Sequence, residues 1–532
     1  MLSEPDAPSF RSPGARVIVV GAGVGGLVAA LLLAARGCAV TVVEKAEGPG
    51  GKLREVIVEG RGIDSGPTVF TMRWVFDAIF RSVGARIEDF LQLTAADILA
   101  RHAWQDGTIF DLHADPGETT AAITRLFGAG EADGFRAFSQ RSQEVFETLN
   151  DAFVEHPAPS PLGLTRSVGL AGLGALSRIE PFTPLASVIG RYFRDARLRQ
   201  LFGRYATYCG ASPFAAPGPL MLIAHVERLG VWLVEGGLVR IAAVLEQLAR
   251  ERGVAFRYRT SAASLITHDG RARGVKLDSG ETLESDAVVF NGDPAALFSG
   301  YLGPAARRAV PGWKPSQRSL SALTWSIQGV ATGFPLAHHT VFFSGNYARE
   351  FDDILLRGIL PEDPTIYVCA QDRDAAGRRT PSGPERLFIL VNAPARADSH
   401  PISEAEIVAC EKRVMARLAH SGLTVSAAPA ARVVTGPNDF SAMFPGTGGA
   451  LYGRASHGWA SSFQRPGART AIPGLYLAGG GVHPGPGVPM AALSGRNAAA
   501  AAMADLASTA GWRPAAMPGG ISTRSARTAA TP

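Results

Sequence analysis

Cysteine is scarce: four residues in 532, Cys38, Cys209, Cys369 and Cys410, far apart and without a CxxC or metal-ligand spacing. A disulfide-stapled scaffold and a sequence-encoded zinc cluster are excluded, no metal is expected, and reduced cytoplasmic thiols are the default. Lysine is nearly as rare, five of the 52 basic residues, an arginine bias that accompanies abundant alanine and carries no mechanistic weight. Charged residues make up only 19% of the chain and no nucleic-acid-binding module is recognisable, so no nucleic-acid partner is expected. The longest apolar stretch, residues 17–43, is interrupted by glycines at βαβ spacing, and residues 1–15 are polar and Pro-rich. Neither a transmembrane segment nor a signal peptide is expected. A Ser/His/Asp triad, a metal cluster and a paired-carboxylate signature are likewise missing.

What the chain has is apolar residues, 46% of the total, and length enough for two or three domains. Its organising stretch is Arg16–Leu53, RVIVVGAGVGGLVAALLLAARGCAVTVVEKAEGPGGKL. Val17–Val20 is a β-branched run suited to a parallel strand buried on both faces. Gly21, Gly23 and Gly26 follow at once. In a βαβ dinucleotide unit the first glycine permits the tight turn, the second lets backbone approach a pyrophosphate, and the third lets helix and strand pack closely. The helix beginning there presents unpaired N–H groups to the phosphates. Residues 27–36 are helical, Gly37 ends the helix, and a second strand, Ala39–Val43, leads into Glu44, whose carboxylate suits the hydroxyls of an adenosine ribose.

A second glycine loop, Gly48–Leu53 (GPGGKL), brings more N–H donors and the cation Lys52 towards the same anion, and Ile63–Thr68 (IDSGPT) follows a strand-like VIVEG. A soluble nicotinamide dehydrogenase has no need of this second loop. The run GxGxxG, Glu, GGK, DSGPT resembles the amine-oxidase and carotenoid-desaturase class of FAD flavoproteins.

Further along, VFTMRWVFDAIF has helical spacing, and strand-like pieces surround Asp106-Gly107. Residues 160–204 carry seven arginines (166, 178, 191, 194, 197, 199 and 204) against Glu180 and Asp195, interleaved with leucines and broken by Pro181 and Pro184. Such a segment suits a membrane interface, with solvated helices as the alternative. Residues 261–294 read as a three-stranded meander turning at Asp269-Gly270 and Ser279-Gly280 and leading into a buried strand, Ala287–Phe290, and Ser403–His420 as a helix. The segment LYLAGGGVHPGPGVPMAALSG (475–495) is a buried strand, a glycine turn and a helix start, so a helix N-terminus is presented again. The resulting expectation is an α/β fold. A Rossmann-like nucleotide domain comes from residues 14–70, 229–298 and 470–508, and a mixed-sheet substrate domain from 71–124 and 299–469. A helical membrane-associating insertion covers 125–228 and a disordered tail 511–532.

Taken together, GAGVGGL with Glu44, GPGGK with DSGPT, and LYLAGGGVHPGPGVPMAALSG resemble the bacterial phytoene-desaturase-type carotenoid oxidoreductases over roughly residues 16–506. GPTVFTMRWVFDAIF is most like the branch that desaturates 1-hydroxycarotenoids at C3–C4 in purple bacteria. The resemblance implies bound FAD held by Gly21, Gly23, Gly26, Glu44, Lys45, Gly51, Lys52, Leu53, Gly66, Pro67, Thr68, Gly480, Val488, Pro489 and Met490. It also implies an acyclic carotenoid substrate, peripheral attachment to the inner or photosynthetic membrane, and a quinone or oxygen as electron acceptor. His483 is the candidate catalytic residue near the flavin ring, or else a turn histidine that fixes its loop. Arg73 is the candidate partner for a substrate hydroxyl, and His338 and His339 read as solvated loop residues. Phytoene desaturation, flavin amine oxidation and non-catalytic carotenoid binding remain as alternatives.

Overall fold

Five parallel strands form the nucleotide sheet of the computed structural model, in the order Leu475–Leu477, Ala287–Phe290, Arg16–Val20, Ala39–Val43, Ala255–Arg257. The structure describes residues 14–157, 179–379 and 383–510. The tail expected at 511–532 and the early part of the basic segment lie outside these residues. Val17–Val20 pairs with Ala287–Phe290 on one side and Val40–Val43 on the other, which is why the run is apolar without alternation. Gly21, at φ +103°, turns the chain into the helix Val24–Ala34. Every residue from Val24 to Leu33 is buried, as expected of a helix that is apolar all round. The C-terminal helix, Val488–Ala510, lies against it. Contact is closest where Gly25 meets Gly495: a Cβ on Gly495 would sit 2.2 Å from the Gly25 carbonyl oxygen. The meander at 262–284 covers the opposite face, packing Val275 and Leu277 beneath Ile18, Val288 and Phe290. Its turn at Asp269-Gly270 has both residues at positive φ, the two-residue hairpin geometry.

An eight-stranded mixed sheet makes the second layer, with Thr424–Ser426, Ser321–Thr332, Glu385–Ala393, Ile366–Ala370, His339–Phe342, Ile98–Ala103 and Ile109–His113 in order, and Arg432–Thr435 beside Ser321–Thr332. Side chains alternate across it. Leu323, Trp325, Val368, Ile389 and Val391 pack with Cys410, Val414 and Leu418 of the helix Glu404–His420, and the intervening Thr324, Tyr367, Leu390 and Asn392 face an internal cavity. That helix starts in a capping box between Ser403 and Glu406. Helices between Ala129 and Arg228 close the cavity from the far side around Phe138, Phe193 and Phe202, whose rings lie 4.7–5.4 Å apart.

VIVEG is the strand its pattern implies: Glu55–Val58 pairs with Arg61–Asp64 in a hairpin around Glu59-Gly60, so IDSGPT begins as the end of a second strand and leaves it after Asp64. One local expectation is corrected. The helix Arg73–Ser82 buries Val75, Phe76, Ile79 and Phe80 in the nucleotide unit's core and contacts the C-terminal helix, not the substrate sheet, whose first strand begins at Ile98.

Candidate cofactor and substrate site

A cavity of about 750 Å³ runs from the glycine turn of the first sheet to the polar-and-apolar face of the second. Its nucleotide end is built by the order of the chain. Glu44 ends the second strand, and its carboxylate accepts the Ala22 and Ala46 N–H groups at 2.7 and 2.8 Å, so it sits beneath the first turn with capacity left for a ribose. The second glycine loop joins the first through Gly50 N–H to Ala22 O at 2.8 Å and a bridge between Gly23 and Gly50. Asn291, at the end of the Ala287–Phe290 strand, packs into the glycines: it donates to Gly21 O at 3.3 Å, and a Cβ on Gly23 or Gly25 would lie 2.7–2.8 Å from its amide atoms. Gly25 also faces the Gly479 N–H, which a Cβ would approach to 2.7 Å. The first and last motifs of the chain thus meet over one side chain.

Lys52, half-buried in the cavity wall, donates to Leu451 O at 2.6 Å and lies over the Phe444 ring. Burial lowers its pKa, and the Asp293 carboxylate opposes the shift. Asp64 of IDSGPT does not face the cavity: it caps the helix Val239–Arg250 through the Leu238 and Val239 N–H groups, and burial pushes its pKa up to about 6. Ser65 bonds Ser326 of the second sheet at 2.6 Å. Thr68 bonds the Tyr367 hydroxyl, which in turn bonds His339 Nδ1, both at 2.7 Å. Ser65 and Thr68 therefore fasten the cofactor loop to the chamber wall. Gly479 N–H donates to Ser494 at 2.7 Å, and buried Arg465 grips the carbonyls of Tyr452, Arg454 and Gly480 at 2.7–3.4 Å.

The residues fit a dinucleotide. Bare glycine backbone lines the cavity where any side chain would intrude, and the Asn291 Oδ1 and Asp293 Oδ2 acceptors in its lining residues are buried with no protein partner. Of the residues expected to hold FAD, Gly21, Gly23, Glu44, Lys45, Gly51, Lys52, Leu53, Gly66, Pro67, Thr68, Gly480, Val488, Pro489 and Met490 all line the cavity. Gly26 does not: a Cβ there would lie 2.2 Å from Gly21 O, so its smallness serves helix–strand contact.

His483 and Arg73 are also absent from the lining. His483 is 3% exposed, bonds His156 O through Nε2 at 2.9 Å, stands edge-on to Phe153, and is held neutral by burial, which pushes its pKa to about 4. It fixes its loop against the helical insertion. Arg73 is committed to Asp77 and Glu88 and lies over the Trp232 ring, so its expected role towards a substrate hydroxyl is withdrawn. His338 and His339 are not solvated: His339 is 1% exposed in a strand, and with His338 and Cys369 it brings ligand-type atoms within 4.8 Å of one another, a grouping no spacing in the sequence announces.

The substrate end is apolar for most of its wall, with Leu149, Phe153, Leu222, Ile223, Val226 and Phe463 among its residues. A polar island interrupts it. Tyr205 and Tyr208 both donate to buried Glu227, and Arg204 Nη2 donates to the Tyr208 oxygen at 3.1 Å while stacking on its ring. Arg204, counted in the sequence with a basic membrane-facing segment, is instead part of the chamber wall.

Comparison with known proteins agrees with this architecture. The family model for flavin containing amine oxidoreductases matches residues 24–503. The chain is 50% identical to a hydroxyneurosporene desaturase of Rubrivivax gelatinosus, over 96% of this chain and 98% of that one. It is 45% identical to a hydroxyneurosporene desaturase of Cereibacter sphaeroides, over 93% and 98%. A putrescine oxidase structure shares the fold at 14% identity, with a TM-score of 0.57 over 92% of this chain and 99% of the other. The glycine cradle, the second loop and the C-terminal turn converge on one cofactor site, and this chain belongs to the flavin containing amine oxidoreductases, within their carotenoid-desaturase branch.

Proposed function

We propose that the protein is an FAD-dependent carotenoid desaturase that introduces the C3–C4 double bond into acyclic 1-hydroxycarotenoids of the 1-hydroxyneurosporene type. The observation that carries this reading is the continuity of the glycine cradle with a largely apolar chamber, in a chain 50% identical end to end to a hydroxyneurosporene desaturase. Bound FAD supplies a two-electron acceptor for the hydride that leaves C4. Gly21, Gly23, Glu44, Gly51, Lys52 and the Gly479–Met490 turn would hold it, and the N-terminus of the Val488–Ala510 helix adds a fixed positive dipole. The chamber residues position the polyene and exclude water. Because the positive charge left at C4 spreads along the conjugated chain, a weak acceptor suffices for the C3 proton.

Peripheral attachment to the inner or photosynthetic membrane, with a quinone or oxygen reoxidising the flavin, belongs to the same proposal. Its support is a cavity edge where Phe182 and Trp459, 74% and 47% exposed, line the cavity with rings 5.3 Å apart. The exposed Arg194 and Arg199 lie on the segment that follows Phe182, whereas Arg191 is paired with Glu180 and Arg197 with Asp106 and Asp195. No helix among the described residues is long and apolar enough to cross a membrane. The test is to offer phytoene, neurosporene and 1-hydroxyneurosporene separately and read products by chromatography and by the red shift of an added double bond. Consumption of phytoene with the hydroxylated chain left untouched overturns the assignment. Anaerobic flavin bleaching by amines instead of carotenoids points to amine oxidation, and no bleaching by either to a binding role.

A further inference from the structure

We propose that Arg204 and Tyr347, braced by Tyr208 and Glu227, form the subsite that binds the terminal hydroxyl of the substrate and so sets the preference for oxygenated chains. The inference rests on the desaturase reading above and adds the residues that select the substrate.

The chemistry states what is needed. A hydroxyl carried into an apolar chamber loses its water and must find a protein partner. In a 1-hydroxycarotenoid that hydroxyl is only a few bonds from C3 and C4. Its partner therefore belongs on the wall close to the cofactor loops, not at the remote end of a tunnel.

The polar island is in that place. Tyr367, which bonds Thr68 of the cofactor loop, lies within electrostatic reach of Tyr208, and its other partner, His339, lies within reach of Arg204. Tyr347 lies within electrostatic reach of Arg204, and its ring stands beside Gly203, where a Cβ would lie 3.9 Å from it. Both residues line the cavity, and both keep a buried polar atom with no protein partner, Arg204 Nε and Tyr347 Oη. The other members of the island are spoken for. Glu227 is occupied by the two tyrosine hydroxyls and supplies the carboxylate that balances Arg204, so the cation needs no charged ligand. What remains is one N–H donor and one phenol that both donates and accepts, the complement of an alcohol. Tyr347 cannot readily turn away, because Phe343 and Phe351 hold its ring edge-on at 6.1 and 5.1 Å.

The experiment uses full-length, FAD-loaded protein with 1-hydroxyneurosporene as substrate and neurosporene as competitor. Selectivity is read as the Ki of the hydroxyl-free chain over the KM of the hydroxylated one. Tyr347→Phe removes only the oxygen, and Arg204→Lys keeps the charge beside Glu227 while removing Nε. Each is expected to lower selectivity roughly tenfold, through KM more than kcat, the effect of one lost hydrogen bond. The flavin spectrum and thermal midpoint report whether each variant is folded and loaded. Unchanged selectivity in a folded Tyr347→Phe overturns the subsite while leaving the desaturase assignment standing. A wild-type enzyme that makes no product from 1-hydroxyneurosporene overturns the assignment itself, and the subsite with it.

Discussion

Replacing Gly495 by alanine puts the packing of the two cofactor helices to a direct test. Ordinarily this change inside a helix stabilises by about 1 kcal/mol, because glycine is the poorer helix former. Here the new methyl carbon would stand 2.2 Å from the Gly25 carbonyl oxygen, and its three nearest neighbours are all Gly25 backbone atoms. Nothing flexible can yield, so the helices Val24–Ala34 and Val488–Ala510 must part until that distance reaches an ordinary contact of 3.4 Å or more. Separation on this scale forfeits a quarter to a half of each dispersion contact across the seam, and overpacking alone costs about 1–3 kcal/mol. A net loss of about 2 kcal/mol or more is expected. The same displacement shifts the Gly21–Gly25 turn away from Gly479, and each 1.4 kcal/mol of fit lost there weakens FAD binding about tenfold. Thermal melting with and without added FAD, together with an FAD titration, measures both effects. Gly130→Ala is the control: it lies in the helix Ala129–Leu149 with nothing within 4 Å of a new Cβ, and it should stabilise by about 0.5–1 kcal/mol. If Gly495→Ala melts at or above wild type with unchanged FAD affinity, the close-contact argument fails.

Gly23→Val should yield colourless protein, since its side chain would occupy the cradle beside Asn291; full flavin occupancy in the variant contradicts the site. Glu350 is 1% exposed, and burial raises its pKa from 4.5 to about 7 despite hydrogen bonds from Thr365 and Ser344. The folded protein thus keeps a proton that the unfolded chain releases, so stability from this group is full below pH 4.5 and is lost as pH rises through 7. Glu350→Gln should flatten that decline, worth about 3 kcal/mol, and a stability–pH curve parallel to wild type refutes it. Serine at both Phe182 and Trp459 should reduce flotation with anionic liposomes, and high salt should weaken the wild-type interaction; flotation indifferent to both counts against membrane attachment.

Much of this was readable from local pattern. The Val17–Val20 run, the glycine turn, Glu44, the Asp269-Gly270 hairpin and the helix after Ser403 are all set by neighbours a few residues away, and the structure places each as its pattern implies. The missed features depend on partners far along the chain. Asp64 looks like a cofactor-loop acid until the helix at Val239 is set against it. Arg204 reads as one more cation on a basic face because Glu227 and Tyr347 become its neighbours only when the insertion folds over the second sheet. Arg73 carries no mark distinguishing a chamber residue from one neutralised by Glu88. Charge along a sequence does not say which charges are already answered.

Asn291 changes what the glycine fingerprint itself signifies. Its side chain lies against Gly21, Gly23, Gly25, Gly26 and Gly479, so part of the space those glycines leave open is filled by the protein and not by phosphate. A descendant of this fold that had ceased to bind any nucleotide would still be obliged to keep glycine at 25 and 26 for as long as an amide projected from the neighbouring strand. Persistence of the motif therefore records two obligations, one to a ligand and one to the architecture. Gly51, which lines the cavity and does not lie against Asn291, is a position whose loss would mark the end of the first obligation.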